Sequence, residues 1–391
     1  MTLISKTRMV TAAVAATIFA ALVGSAARVE PPTVTVMRVP DSGMQPQVIT
    51  RDGVLHLVYF IGDPEKGDLN YVNSRDYGRT FSKPIRVNSE PGTALAVGNM
   101  RGGQIAIGRN GRVHVAWIGS SAALPRRGSN SSPVLYARMN DAGTGFDPSR
   151  VVNQQSWGAD GASLAADSRD NVFVFWHAQQ PQGKNEESRR LWMAKSLDGG
   201  KTFAGERVAF GETTGVCGCC GSRAFADAAG SLYVLFRAAT QMVHRDIYLL
   251  SSTDHGATFK GADISPWNIG ACVMSSASLV QSADGILAAW ETEKQVYFGR
   301  VAQGTNELAT SVGATGTGVN RKYPALAVNS RGEVLLAWTE GMAWKKGGAA
   351  AWQVYDKDLK PEVAAGKSDG VPVWGLVAAF ARPDGSFAVV Y

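Results

Sequence analysis

The sequence predicts an all-β protein, a β-propeller of four-stranded blades. Three observations carry that expectation: seven short apolar runs, an aromatic closing each run, and an Asp-bearing turn that recurs between them. The runs are GVLHLVY, GRVHVAW, DNVFVFW, GSLYVLF, DGILAAW, GEVLLAW and GSFAVVY. Their final aromatics are Tyr59, Trp117, Trp176, Phe236, Trp290, Trp338 and Tyr391, spaced by 48 to 60 residues. Radial packing of twisted four-stranded sheets buries both faces of each sheet and leaves only short edges, so units of this length close into a ring.

Taken in chain order, the first element is a leader. MTLISKTR carries Lys6 and Arg8 and precedes an uncharged apolar run from Met9 to Gly24 that ends in small residues. The run falls short of the roughly 20 residues that a membrane-spanning helix needs, and its architecture is that of a signal peptide cleaved near Ala27. The expectation is therefore a leader over 1–27, a single domain over 28–391, and a periplasmic or secreted protein with no membrane span after cleavage.

A first strand, TVTVMRV, follows the leader, and then the hairpins begin. Each terminal run is preceded by another short apolar run, such as ASLAADS or PALAVNS, and each pair reads as a β-hairpin. After most hairpins comes a third strand ending in S-x-D-x-G-x-T-F: SRDYGRTF, SLDGGKTF and STDHGATF align Asp76, Asp198 and Asp254, and NDAGTGF is a worn copy at Asp141. The short Asp side chain accepts backbone N–H groups of its own turn, Gly permits a positive φ, and Phe plugs back between strands, so these aspartates are expected to be structural. Six such units, the last hairpin and the N-terminal strand make about 27 strands, one short of seven blades of four. Seven blades fit best, with the first strand lying against the last hairpin; six is the alternative.

Composition narrows the partners. The formal charge of +6 falls to +4 once the +2 of Lys6 and Arg8 is removed, and the chain has no long basic run. Nucleic acid is disfavoured, a glycan or other small acidic ligand is the expected partner, and a monomer is the expected state.

The S-x-D-x-G-x-T-F series resembles the Asp-box of sialidases and related propellers, and the likeness covers nearly the whole chain after the leader. The resemblance implies an exo-glycosidase acting on sialic acid or another acidic sugar, with arginines on the sugar carboxylate, a tyrosine nucleophile aided by a glutamate, and an aspartate acid/base. RKYPALAVNS is similar to the family's nucleophile strand and would supply Tyr323; GSLYVLFRA would supply Arg237, MRVP would supply Arg38, and Asp63 would be the acid/base. Where the family's glutamate should stand, this chain has CGCCGS. Arg101, Arg223 and Arg321 begin inner strands and are candidates for a different anion-binding set. Glu291 and Glu340 end hairpins and are candidate carboxylates, while Trp157, Trp267 and Trp374 stand in loops and are candidates to stack on sugar rings.

Three of the four cysteines lie in VCGCCGS, Cys217, Cys219 and Cys220; Cys272 precedes the next inner strand. The repeat brings the four together at the channel mouth. For an exported protein they read either as disulfides, with three possible pairings, or as a thiolate site for Cu or Zn with Met274 as a further soft donor. No cofactor is required by the glycosidase reading. The alternative to that reading is a non-catalytic carbohydrate-binding or metal-associated propeller.

Overall fold

The structure is a computed structural model describing residues 1–2, 31–98, 100–125 and 131–391. The leader expected over 1–27 falls, but for its first two residues, outside them. Residues 32–391 form one compact unit of seven sheets. Among the described residues there is no α-helix, and no helix is long and apolar enough to cross a membrane.

Six blades are antiparallel sheets of four strands in chain order from the axis outward. Their innermost strands are Met44–Arg51, Gln104–Ile107, Trp157–Ala166, Arg223–Ala226, Ser278–Ser282 and Lys322–Val328. Blade 7 has three strands: Ala378–Ala381, Phe387–Val390 and, in parallel register, Val34–Met37, with Val34 opposite Phe387 and Met37 opposite Val390. The expected N-terminal strand thus closes the ring, and the six-blade alternative is ruled out. Each innermost strand packs on the next, from blade 1 round to blade 7 and back to blade 1.

The seven aromatics explain why these strands stack. Trp117, Trp176, Trp290 and Tyr59 are each no more than 1% exposed, and the second strands that carry them are buried on both faces between neighbouring sheets. Replacing any one of those tryptophans by alanine would cost on the order of 3–5 kcal/mol.

Because strands alternate in direction, the starts of innermost strands and the ends of second strands share one face, called here the mouth. The Asp-bearing turns join third to fourth strands on the opposite face. At each of three such turns the bonds repeat: Asp76 accepts from the N–H and hydroxyl of Thr80, Asp198 from those of Thr202, Asp254 from those of Thr258, with Ser74, Ser196 and Ser252 hydroxyls donating to the same carboxylates. Asp141 is held differently, by Arg112 and Arg138.

Three buried imidazoles make the fold acid-sensitive. Burial holds His56 down to about 4 and His114 and His177 down to about 3, from an ordinary 6.5. Below pH 6.5 the unfolded chain therefore takes up protons that the folded protein refuses, and stability falls with pH. Asp76 and Asp198, held near 2 by their turn bonds, extend the loss from pH 4 downward. A thermal melting series is expected to show Tm falling steadily from pH 7 to 4; a flat profile would contradict these environments.

Candidate functional site

The mouth is crowded with charge, and nearly all of it is paired across the seams between blades. Arg101 grips Asp160 with two nitrogens, at 2.9 Å from Nε and 2.5 Å from Nη2. Burial pushes the Asp160 carboxyl up, but Arg101 outweighs it and holds the group below its usual range. Arg237 and Glu291, 2% and 0% exposed, meet at 3.1 Å, and Arg237 also lies 5.3 Å over the Trp267 ring. Burial pushes Glu291 up against the opposing pull of Arg237. Arg245 pairs with Glu186 at 2.6 Å across the seam of blades 3 and 4.

Arg223 differs. One nitrogen donates to the side-chain oxygens of Gln47 at 2.7 Å and Gln104 at 2.9 Å, and among the described residues Nε has no partner and no carboxylate answers its charge. Burial lowers it to about 10. It lines a central cavity of about 60 Å³ with Ser222, Ser276, Ser278 and Tyr323, too narrow for a sugar. Tyr323 is 4% exposed and has a left-handed φ of 54°. Burial first, then the neighbouring Cys220 and Glu291, push its hydroxyl far above the usual phenol range.

The residues that the sialidase resemblance selects do not converge. Arg237 is consumed by Glu291 in the seam of blades 4 and 5. Asp63 is exposed and caps a turn by accepting from the Glu65 N–H at 2.9 Å. Arg38 lies over the Tyr391 ring and donates to the carbonyls of Gly370 and Asp369 on the outer strand of blade 6. Trp157 stands alone on blade 3, 41% exposed.

Arg321 and Glu340 do come together, at blade 6, whose outer strand also takes the Arg38 hydrogen bonds. An open cleft of about 800 Å³ there is walled by Glu340, Lys346, Lys367, Asp369 and a set of glycines. Glu340 is bonded to Arg321 at 3.2 Å, to Lys367 at 3.0 Å and to the Trp338 indole N–H at 3.0 Å. Burial raises its pKa, but the donors Trp338 and Lys367 and the Arg321 charge win, and the carboxyl stays below its usual range. Gly318 lies so close that a Cβ there would stand 1.8 Å from a Glu340 oxygen. At the hairpin tip beside Lys346, Trp344 is 58% exposed and packs edge-on against Trp374. Lys346, Lys367 and Asp369 are the members that sequence reading missed; KK and GKSDG look like ordinary solvated loops, and only their placement beside Glu340 marks them.

The cysteine cluster sits in the neighbouring loops of blades 4 and 5. Cys219 and Cys272 form a disulfide, while Cys217 and Cys220 are free and buried. The reading of two disulfides is therefore corrected to one. The free sulfurs are 3.1 Å apart, and Cys217 lies 3.5 Å from the Cys219 sulfur. The hydrogen bond between them lowers the Cys217 thiol, and burial raises Cys220. The free pair stands at C-x-x-C spacing within C-x-C-C.

Among the described residues, fold and site together define a seven-bladed propeller with an ion-paired mouth, an open cleft lined by charges of both signs and a sulfur cluster. No protein-family model and no curated protein sequence matches the chain. Among solved structures it is similar to a protein of unknown function from Dyadobacter fermentans, with TM-score 0.56 and 14% identity over 81% of this chain and 95% of that one. It is similar also to an α-L-arabinanase from Penicillium chrysogenum, with TM-score 0.53 and 14% identity over 84% and 98%. A Trypanosoma rangeli sialidase gives TM-score 0.50 and 12% identity over 85% of this chain and 57% of its own. Those identities show a shared fold.

Proposed function

We propose that this is an exported propeller that binds, rather than cleaves, a small acidic ligand of the acidic-sugar class in the cleft of blade 6. The observation that carries the reading is an open cleft with two lysines in its lining beside an exposed tryptophan. Lys346, Lys367 and Asp369 line it, Arg38 donates to the Gly370 and Asp369 carbonyls of the lining strand, and the Glu340 carboxylate is committed to Arg321 and Lys367. A ligand carboxylate meets cations there, and the exposed Trp344 offers a ring face for a sugar.

Hydrolysis is disfavoured on physical grounds. A glycosidase needs a carboxyl held protonated near neutral pH to deliver a proton to the leaving group, and Glu340 is held in the opposite direction. Tyr323 has no hydrogen-bonded carboxylate that would act as its base.

Titration calorimetry against N-acetylneuraminate, glucuronate, galacturonate and neutral galactose tests the proposal. Binding of at least one acidic sugar and not of galactose is expected, weakened about tenfold in Lys367→Gln, the loss of one charge-assisted contact. Equal affinity of wild type and Lys367→Gln, or no acidic sugar bound, would overturn the cleft. Turnover of a fluorogenic sialoside that disappears in Tyr323→Phe would overturn the non-catalytic reading.

A further inference from the structure

We infer that Cys217 and Cys220 form a binding site for one monovalent soft metal ion, Cu(I), beside the Cys219–Cys272 disulfide. The inference does not rest on the cleft of blade 6. Its first support is convergence: the sulfurs of Cys217, Cys219 and Cys220 all lie within 4.8 Å of one another, with Cys217 0% and Cys220 3% exposed. Val273 is buried with them, and Trp267 and Ile269 pack on the outside, so the sulfurs face apolar surface rather than water.

The loop that carries them is fixed before any ion arrives. The Cys217 N–H donates to the Arg237 carbonyl at 2.9 Å and the Gly218 N–H to a Glu186 carboxylate oxygen at 2.5 Å. The Gly221 N–H donates to the Ser275 carbonyl at 2.9 Å, and the His177 ring nitrogen lies 3.0 Å from the Cys220 carbonyl. The four anchors come from three parts of the ring: blade 3 through Glu186 and His177, blade 4 through Arg237, and the loop leading into blade 5 through Ser275. Such outer partners hold soft ligands in place without occupying their sulfurs.

Charge selects the kind of ion. Arg237, Arg245 and Lys322 surround the cluster, and two of them have carboxylate partners, Glu291 and Glu186. Lys322 instead donates to the carbonyls of Val273 and Met274, next to Cys272. Two nitrogens of Arg245 are buried without a partner among the described residues. Arg189 lies near Cys217 as well and spends its bonds on His177 and the Gly158 carbonyl, so the surroundings are net positive. A disulfide or a neutral dithiol leaves that charge standing in a buried place, which is costly. Two thiolates on Cu(I) carry a net charge of −1 and offset part of it; two thiolates on Zn(II) are neutral and do not.

Ligand number points the same way. Zinc in a structural site takes four ligands from Cys, His or carboxylate, and with Cys219 bonded to Cys272 only two thiols remain. The nearby His177 is already engaged, one nitrogen to Arg189 and the other to the Cys220 carbonyl. Cu(I) prefers thiolate and thioether sulfur and is content with two such ligands. Binding involves no change of oxidation state: each thiol gives up its proton to solvent as its sulfur joins the ion.

The test is anaerobic competition with Cu(I) supplied as its coloured bicinchoninate complex, followed by native mass spectrometry of the full chain after leader removal. One bound Cu(I) per chain is expected, together with an ultraviolet Cu(I)–thiolate absorption band in the wild type. Cys217→Ser and Cys220→Ser are expected to lose about 100-fold or more in affinity, since each removes one of two ligands. The double variant Cys219→Ser/Cys272→Ser is expected to retain the ion. A chain that takes no Cu(I) and weighs about 4 Da less than its reduced form would carry two disulfides and overturn the site. Equal retention in Cys217→Ser, or preferential retention of Zn(II), would do the same. The wild-type absorption band keeps the proposal falsifiable if a single-serine variant fails to fold.

Discussion

Deleting residues 31–38 is expected to abolish cooperative folding or to lower Tm by well over ten degrees. The segment supplies the third strand of blade 7, pairing Val34–Met37 with Phe387–Val390 in parallel. Further backbone bonds from the segment flank the ladder: Phe387 N–H to the Thr33 carbonyl at 2.9 Å and Tyr391 N–H to the Met37 carbonyl at 3.1 Å. At about 1 kcal/mol net for each backbone bond, the loss is on the order of 5 kcal/mol, comparable with the whole stability of many domains. What remains of blade 7 is a two-stranded hairpin, marginal by itself, with the buried side chains of Phe387 and Val389 no longer covered on that edge. Circular dichroism melts and protease resistance of the truncated chain measure it. An unchanged Tm would mean that the ring holds without its closing strand.

The second large effect is expected from Arg237→Met. The substitution leaves Glu291, 0% exposed, without its cation, and stranding one charge of a buried pair typically costs about 3–5 kcal/mol. The double variant Arg237→Met/Glu291→Leu should recover most of that, because it removes the charge as well as its partner. The pH dependence supplies a signature. Glu291 already has a raised carboxyl pKa, from burial, and without Arg237 it rises further. A raised carboxyl favours the folded state while protonated and penalises it as pH climbs, so the destabilisation should be larger at pH 8 than at pH 5. Equal losses at both values, or a double variant no better than the single, would remove the buried charge as the cause.

The fold was legible because its signals are local and repeated: glycine-led runs ending in Tyr59, Trp117 or Trp176 fix the second strand of each blade, and the Asp76, Asp198 and Asp254 turns mark the third. Even the closing role of TVTVMRV followed from strand count. The site was legible only in part, since position in a blade does not say which charges meet. Arg101 and Arg237 occupy the strand ends where a ligand clamp would stand, yet Asp160 and Glu291 from the adjacent blade reach them first. Those partners lie 59 and 54 residues away, one repeat along the chain, and the repeat marks the positions as neighbours without saying that opposite charges occupy them. Lys367 and Lys346 carried no motif at all. The cysteines were placed together by the repeat, but which two would bond depended on loop paths at the seam of blades 4 and 5.

The closing strand also has a consequence for the order of assembly. Thr35 and Phe387 touch across 352 residues of chain. Closing a loop of that length costs about 5 kcal/mol of chain entropy by the logarithmic law, and no closure contact repays it until blades 1 to 6 have shortened the distance. Hairpins within a blade form locally and quickly, whereas contacts between distant residues slow folding. The parallel pairing in blade 7 is therefore the last event, and until it happens an otherwise finished ring presents an open strand edge at Phe387–Val390 to any neighbouring chain.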